Sequence, residues 1–374
     1  MRPDKSMAKA RENHLGNALR ARALSGTGLL RQLTEILRLR YSVSSLGISE
    51  YYFYRLFDRQ LSDEDRDRFA GYRRERIVDR ALNKDSWRAI ANDKLVFYAT
   101  LTALGLPYPQ VRAVCHAEGR LFGKVPCLRT EDQIRRFLSG TAFPLFLKPV
   151  HGSYGRGACS AMEYDAASDA LRLGNSEAWP LSEAAGTFLA AASHGYLFQD
   201  LVKPHESIRA FCRATASTVR VVVVLGRRGP EIFRCAWKIP TGLNMSDNFT
   251  HGETGNLLAF VEPDSGVVKR VITGTGFRLR LVTEHPDTQQ ALVGFTLPDW
   301  AELRELCLNA ATAYPGLRLQ NWDIAIGDRG PVILEVNVEG SMDLHQLAGG
   351  RGILDGVLVE ALADMGVHHR GMQS

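Results

Sequence analysis

Near Val111 the apolar residues of this chain change period, and that change divides what the two parts can fold into. Before it, Leu15, Leu19, Leu29, Leu30, Leu33, Ile36 and Leu37 recur at helical spacing with arginines between them. The segment from Gly47 to Leu82 continues the pattern with Tyr51, Tyr54 and Phe57, which are expected in a core. Ser62 ahead of Glu64 and Asp65 reads as a helix start. The stretch from Asn83 reads as one helix that stops at Gly105, where Pro107 and Pro109 enforce extended chain. After Val111, short β-rich runs dominate: FPLFLK, YLFQDLV, TVRVVVVL, EIFRCAWKI, LLAFVE, WDIAIGD and PVILEVN. Helices are expected at 299–313 and 353–364. Many of the connections are too short for a crossover helix, so the strands are expected to pair largely antiparallel. The expected class is therefore α+β behind a helical N-terminal region.

With 374 residues, 45% hydrophobic and 23% charged, the chain reads as a globular protein of two or three packed units. Its net charge of +5 is concentrated in residues 1–40, which hold nine Lys/Arg against three Asp/Glu. Such an arm is read as a solvated helix face; nucleic acid, an acidic membrane face and acidic substrate are the other partners it could meet. Six cysteines lie at 115, 127, 159, 212, 235 and 307 with no Cys-x-x-Cys pair, so neither a zinc knuckle nor a dithiol redox motif is supported. No apolar stretch reaches the ~20 residues of a membrane span, and the N-terminus lacks an apolar signal core. A soluble cytoplasmic protein is expected.

Two stretches carry chemistry. In FPLFLKPVHGSYGRGA, Lys148 ends a strand, Pro149 leaves the sheet, and Gly152, Gly155 and Gly157 free the backbone to bring N–H groups near phosphate oxygens. The loop lacks the Gly-Lys-Ser/Thr ending of a P-loop, and its glycines are not spaced as in a dinucleotide fingerprint. Taken alone it reads as a plain hairpin turn, with a phosphate lid the alternative. In NWDIAIGDRGPVILEVN, two strands join at the Gly327–Gly330 turn. Glu335 and Asn337, two apart, share one strand face, and Asp323 can lie opposite them. Two carboxylates and an amide are hard donors that suit Mg²⁺, the alternative being a solvent-facing polar stripe. Arg220, set among valines, needs a partner, because an unpaired buried guanidinium is costly. Lys238 in CAWKIP is read as facing either the same cleft or solvent, and His345 in SMDLHQL as a polar loop histidine.

From about Asn92 to about Asp355 the chain resembles the ATP-grasp superfamily, and within it the sugar-transfer-associated branch. The carrying stretches are NDKLVFYATLTALGLPYP, FPLFLKPVHGSYGRGA, FQDLV, STVRVVVVL, SDNFTHGETGN, VGFTLPDW and WDIAIGDRGPVILEVNVEG, in that order. The resemblance implies two α+β lobes clasping ATP: a helical region over 1–85, a pre-grasp segment over 86–140, a small lobe over 141–205 and a large lobe over 206–374. It implies that Lys94 and Lys148 meet nucleotide phosphates and that the 152–157 loop (Gly152, Ser153, Tyr154, Gly155, Gly157) is a mobile cover. It further implies that Gln199, Asp200, Leu201 and Val202 hold adenine and ribose, that Arg220 stands by the transferring phosphate, and that Asp323, Glu335 and Asn337 bind Mg²⁺. The family usually has Glu where Gln199 stands, and a glycine pair where this chain reads THGETGN, which leaves the roles of His251 and Glu253 open. The implied activity is ADP-forming ligation of a small carboxylate to an amine or a sugar-linked acceptor through an acyl phosphate, in polysaccharide or glycoconjugate synthesis. A kinase acting on a hydroxyl and a non-catalytic nucleotide-binding protein are the alternatives. Nucleic acid is not an expected partner.

Overall fold

Among the described residues, seven helices precede the first strand: α1 (His14–Ser25), α2 (Leu29–Tyr41), α3 (Ile48–Phe53), α4 (Asp63–Asp67), α5 (Tyr72–Leu82), α6 (Asp85–Asn92) and α7 (Lys94–Ala103). The coordinates are a computed structural model that describes residues 13–152, 157–190, 194–212 and 215–367. Ser62 caps α4 by accepting from the Asp65 amide, as its position predicts. The single helix expected from Asn83 to Gly105 is broken at Asp93. The Asp93 carboxylate accepts from the Leu95 and Val96 amides and so starts α7 afresh, with Lys94 as its first residue. Tyr51 and Phe57 are buried in a small core with Leu39, Leu46 and Phe69, whereas Tyr54 is half-buried.

The first sheet contains β1 (Val111–Cys115), β2 (Cys127–Leu128), β3 (Leu145–Pro149), β4 (Cys159–Asp165), β5 (Ala170–Leu173), β6 (Ala178–Pro180) and β7 (Tyr196–Asp200), in the order β2-β1-β7-β3-β4-β5-β6. Helices α8 (Glu131–Gly140) and α9 (Leu181–Ala190) bury Ile134, Leu138, Ala184 and Phe188 in the same core as Leu145, Leu147 and Phe198 of this sheet. Among its described strands, β1 and β2 pair parallel and the other pairs are antiparallel. After α10 (Glu206–Cys212) comes a second sheet, antiparallel throughout. Its strands are β8 (Thr218–Gly226), β9 (Gly229–Ile239), β10 (Leu257–Val261), β11 (Val268–Thr273), β12 (Arg280–Leu281), β13 (Leu319–Gly327) and β14 (Gly330–Asn337), in the order β12-β11-β10-β9-β8-β13-β14. Its helices are α11 (Trp300–Thr312), α12 (Met342–Gly349) and α13 (Gly356–Asp364).

Alternation explains why the valine run of β8 reads as uniformly apolar. Val219, Val221 and Val223 join the core with Trp237 and Leu303, while Val222 and Val224 lie under α5 and α13 with Val78 and Leu358. Both faces are covered, so period two is hidden in the sequence. The N-terminal helices close against the end of the chain at Gly352. A β-carbon there would stand 2.1 Å from the carbonyl carbon of Arg68, and the Leu354 amide donates to the Arg68 carbonyl at 2.8 Å. Glycine is what permits this approach. No described helix is long and apolar enough to cross a membrane.

Candidate functional site

The polar end of the second sheet is one row of charges. Asp323 on β13 stands opposite Arg220 on β8 and opposite Glu335 on β14, and Lys238 on β9 pairs with Thr218 on β8. Antiparallel register therefore turns residues distant in sequence into neighbours on one face. The Arg220 guanidinium donates to both Asp323 oxygens, at 2.6 and 2.8 Å. Lys238 Nζ lies 3.3 Å from Asp323 and 3.9 Å from Asp247. The Asp247 carboxylate in turn accepts from the Thr218 amide at 2.7 Å. Burial opposes charge on Asp323, but Arg220 and Lys238 outweigh it and hold the carboxyl far below its ordinary range. Burial likewise opposes the Arg220 charge, and Asp323 and Glu335 more than restore it.

The first sheet and α7 supply the opposite wall. Lys148, buried at the end of β3, donates to the Tyr98 hydroxyl at 2.9 Å, and that hydroxyl donates to the Leu334 carbonyl at 2.8 Å. Burial pushes the Lys148 ammonium down to about 8, even with the fields of Glu335 and Asp323 supporting its charge. Lys94 Nζ donates to the Gly152 carbonyl at 3.1 Å and lies 3.7 Å from Glu335. Lys94, Lys148, Gly152, Lys238, Asp323 and Glu335 all line one cavity, with Phe146 and the 246–248 segment among its other walls.

Several expected residues stand elsewhere. Gly157 is anchored by the Tyr196 hydroxyl, which donates to its carbonyl. Ser153, Tyr154 and Gly155 lie outside the described residues. Leu201 and Val202, half-buried, begin the strap that follows β7. It continues past the β13–β14 turn, where the Asp328 amide donates to the Lys203 carbonyl and the His205 amide to the Ile326 carbonyl, both at 2.9 Å. Gln199 is buried and accepts from Tyr98 at the limit of hydrogen-bond length, 3.5 Å. Asp200 is half-exposed, and Arg112 grips its carboxylate bidentately at 2.6 and 2.9 Å. Exposed pairs of this kind contribute only ~0.2–1 kcal/mol. Asp200→Asn is thus expected to change nucleotide affinity less than about threefold, and Gln199→Ala to weaken it more; calorimetric titration with ATP separates them.

The sequence reading missed Tyr98, four residues after Lys94 and so one helical turn along α7. It also missed Thr218, Phe146 and Asp247, and left Lys238 undecided. The lysine's strand position two before Pro240 carried no sign of which face it took. His345 is not a loop residue: it is buried within α12, with burial, then Arg220 and Arg234, pushing its imidazole down to about 3. His251 Nδ1 lies 3.2 Å from the Asp343 carboxylate, and neither residue lines the cavity. Glu253 follows one residue after Gly252, outside the cavity-lining set.

Glu335 and Asn337 carry oxygens of the kind a hard divalent cation takes, whereas both Asp323 oxygens accept from Arg220. The Asn337 amide donates to Glu335 at 3.3 Å, so the two side chains adjoin on β14 as their spacing requires. Among the described residues no three His, Cys, Asp or Glu side chains gather as ligands. Few protein donors suit Mg²⁺, which retains water and phosphate oxygens.

The sugar-transfer associated ATP-grasp family matches residues 73–360. The chain belongs to that family. Its fold is the ATP-grasp fold preceded by helices. Among solved structures, the ATP-grasp ligase PsnB complexed with minimal precursor matches at 19% identity and a TM-score of 0.40, over 76% of this chain and 64% of that one. The VanG D-Ala:D-Ser ligase from Enterococcus faecalis matches at 12% identity and 0.42, over 76% and 64%. The N5-carboxyaminoimidazole ribonucleotide synthetase from Thermotoga maritima matches at 12% identity and 0.34, over 67% and 42%. This sugar-transfer associated ATP-grasp protein therefore spans less than two thirds of each of the three. No curated protein matches it.

Proposed function

We propose that this ATP-grasp protein is an ADP-forming, ATP-dependent ligase that joins a small carboxylate to an amine or sugar-linked acceptor. The observation that supports this most is the convergence of Lys94 and Lys148 from one wall, and Lys238, Asp323 and Glu335 from the other, on one cavity, with Arg220 paired to Asp323 behind it. Cations on both sides match the charge that spreads over a transferring phosphoryl group. Lys94 and Lys148 would bind the phosphates, with the 152–157 segment as cover. Gln199, Leu201 and Val202 would border the base, with Asp200 at the outer edge. Arg220, fixed by Asp323, would orient on the γ-phosphate.

In the first step a carboxylate oxygen attacks the γ-phosphorus and the bond to the β-γ bridging oxygen breaks, which releases ADP and leaves an acyl phosphate. In the second the amine lone pair attacks the acyl carbon, phosphate departs with the acyl C–O bond pair, and the nitrogen loses a proton. Glu335 and Asn337, with Asp323 beside them, would hold Mg²⁺, which supplies charge neutralisation across the phosphate oxygens. Positioning and exclusion of water account for most of the rate in such chemistry. We place the reaction in polysaccharide or glycoconjugate synthesis on the strength of the family's sugar-transfer association. Six unpaired cysteines, five of them buried, support a reducing, cytoplasmic setting.

Incubation with ATP, Mg²⁺ and a panel of carboxylic acids in the presence of hydroxylamine tests the reading. Hydroxamate formed together with ADP is the expected result. A stable phosphorylated hydroxyl compound without hydroxamate would replace the ligase with a kinase.

A further inference from the structure

Helix α2 carries apolar side chains on two faces. It buries Gln32 and Glu35 beside Ile36 and Leu39, and turns Leu30, Leu33 and Leu37 to solvent, at 76%, 53% and 46% exposure, with Tyr41 beyond them at 82%. The buried polar groups are satisfied. Gln32 donates to the carbonyls of Ala18 and Thr27 at 3.1 and 2.8 Å, and Glu35 accepts from the Tyr51 hydroxyl at 2.5 Å. A helix that spends hydrogen bonds on burying an amide and a carboxylate, while leaving four large apolar side chains outside, has an apolar face meant for something else. At about 3.6 residues per turn, Leu30, Leu33, Leu37 and Tyr41 form one stripe, with Arg31 and Arg38 on one flank and Arg40 on the other. Helix α1, tied to α2 through the Gln32 bond, adds exposed Leu15, Leu19 and Leu24 together with Arg20 and Arg22.

We propose that the outward face of α1 and α2 docks on an anionic lipid bilayer, lying in its surface without crossing it. Charge complementarity selects this occupant. From His14 to Tyr41 there are five arginines and one acid, the buried Glu35. Arg20, Arg22 and Arg40 have no ion pair among the described residues. A second copy would bring arginines against arginines, and nucleic acid offers the leucines no apolar partner. An anionic bilayer takes both, with leucines in the acyl boundary and guanidinium groups at the headgroups. The preceding residues 1–12 add four Lys/Arg against two Asp/Glu. The inference is independent of the ligase reading.

Co-sedimentation of the full chain with vesicles of phosphatidylglycerol and phosphatidylcholine, against phosphatidylcholine alone, tests it. Binding is expected to the anionic vesicles, weakened at least about tenfold as salt shortens the screening length. The Leu30→Ser/Leu33→Ser/Leu37→Ser variant, altered only at exposed positions, should bind at least about tenfold more weakly. So should Arg20→Glu/Arg22→Glu/Arg40→Glu, which keeps the leucines. Any of three results would overturn the proposal: no binding to anionic vesicles, undiminished binding by both variants, or a dimer in light scattering that the serine variant dissociates while vesicle binding is unchanged. Tighter retention by duplex DNA than by vesicles would overturn it too.

Discussion

Glu335→Gln is expected to lower ATP turnover by at least about a hundredfold, with a near-native unfolding transition. Its side chain is partly exposed and its ion pair with Lys94 is long, at 3.7 Å, so losing the charge disturbs packing little. What the substitution removes is an anionic oxygen donor beside Asn337, where hard-ion ligation is proposed. Asp323→Asn behaves differently. It would leave Arg220 buried without its paired carboxylate and Lys238 with only the more distant Asp247, and breaking a buried pair in this way costs about 3–5 kcal/mol. Its lost activity would be mixed with lost stability. ADP release and urea unfolding measured on both variants distinguish the two: Glu335→Gln should fail in the first assay only, and Asp323→Asn in both. Normal ADP release by Glu335→Gln would remove the metal assignment.

Lys148→Met is expected to trade activity for stability. The lysine is buried, and its ammonium is pushed from 10.5 to about 8 chiefly by burial. A depressed lysine means that the unfolded chain holds the proton more tightly than the native protein does. Below pH 8 that preference costs up to about 3 kcal/mol of stability, and the cost fades as pH rises from 8 to 10.5. Methionine has a similar unbranched shape and no charge, so the variant should be more stable at pH 7 by about 1–3 kcal/mol, with an advantage that shrinks through that window. Tyr98 retains its bond to Leu334 in either case. Nucleotide binding runs the other way. Phosphate oxygens would hold the proton on Lys148, so ATP affinity of the native protein should fall above pH 8 by as much as about tenfold per unit. In Lys148→Met it should be weaker at least about tenfold at pH 7, without that slope. Calorimetry with ATP at several pH values, beside urea titrations, reads both effects; a variant that is less stable and binds normally would contradict them.

How far the site could be read in advance depended on how local its parts are. The Asp323–Glu335 pair follows from a hairpin: two apolar strands and a Gly327–Gly330 turn bring the carboxylates opposite each other with little freedom. Glu335 and Asn337 share a face because strands alternate. Lys238 was undecidable, since whether it faced cleft or solvent depended on the sheet's second face, which no neighbour in sequence reports. Gln199 and Asp200 look equivalent in YLFQDLV, yet one is buried beneath Tyr98 and the other is held at the surface by Arg112. His345, read as a polar loop histidine after the β14 strand, lies in α12, which begins at Met342 and is packed against β9, β10 and β11.

The sequence by itself determined the change from helical to strand period, the hairpin with its oxygen donors, the glycine-rich loop after Lys148, and the family. Tertiary structure decided the electrostatics and the exposed face: Arg220 on Asp323 across 103 residues, Lys148 on Tyr98 across 50, and the burial of Gln32 and Glu35 in α2 while Leu30, Leu33 and Leu37 stay outside. The physical reason is that period and turn chemistry act within a few residues. A charge finds its partner only after non-consecutive strands have chosen their neighbours and register.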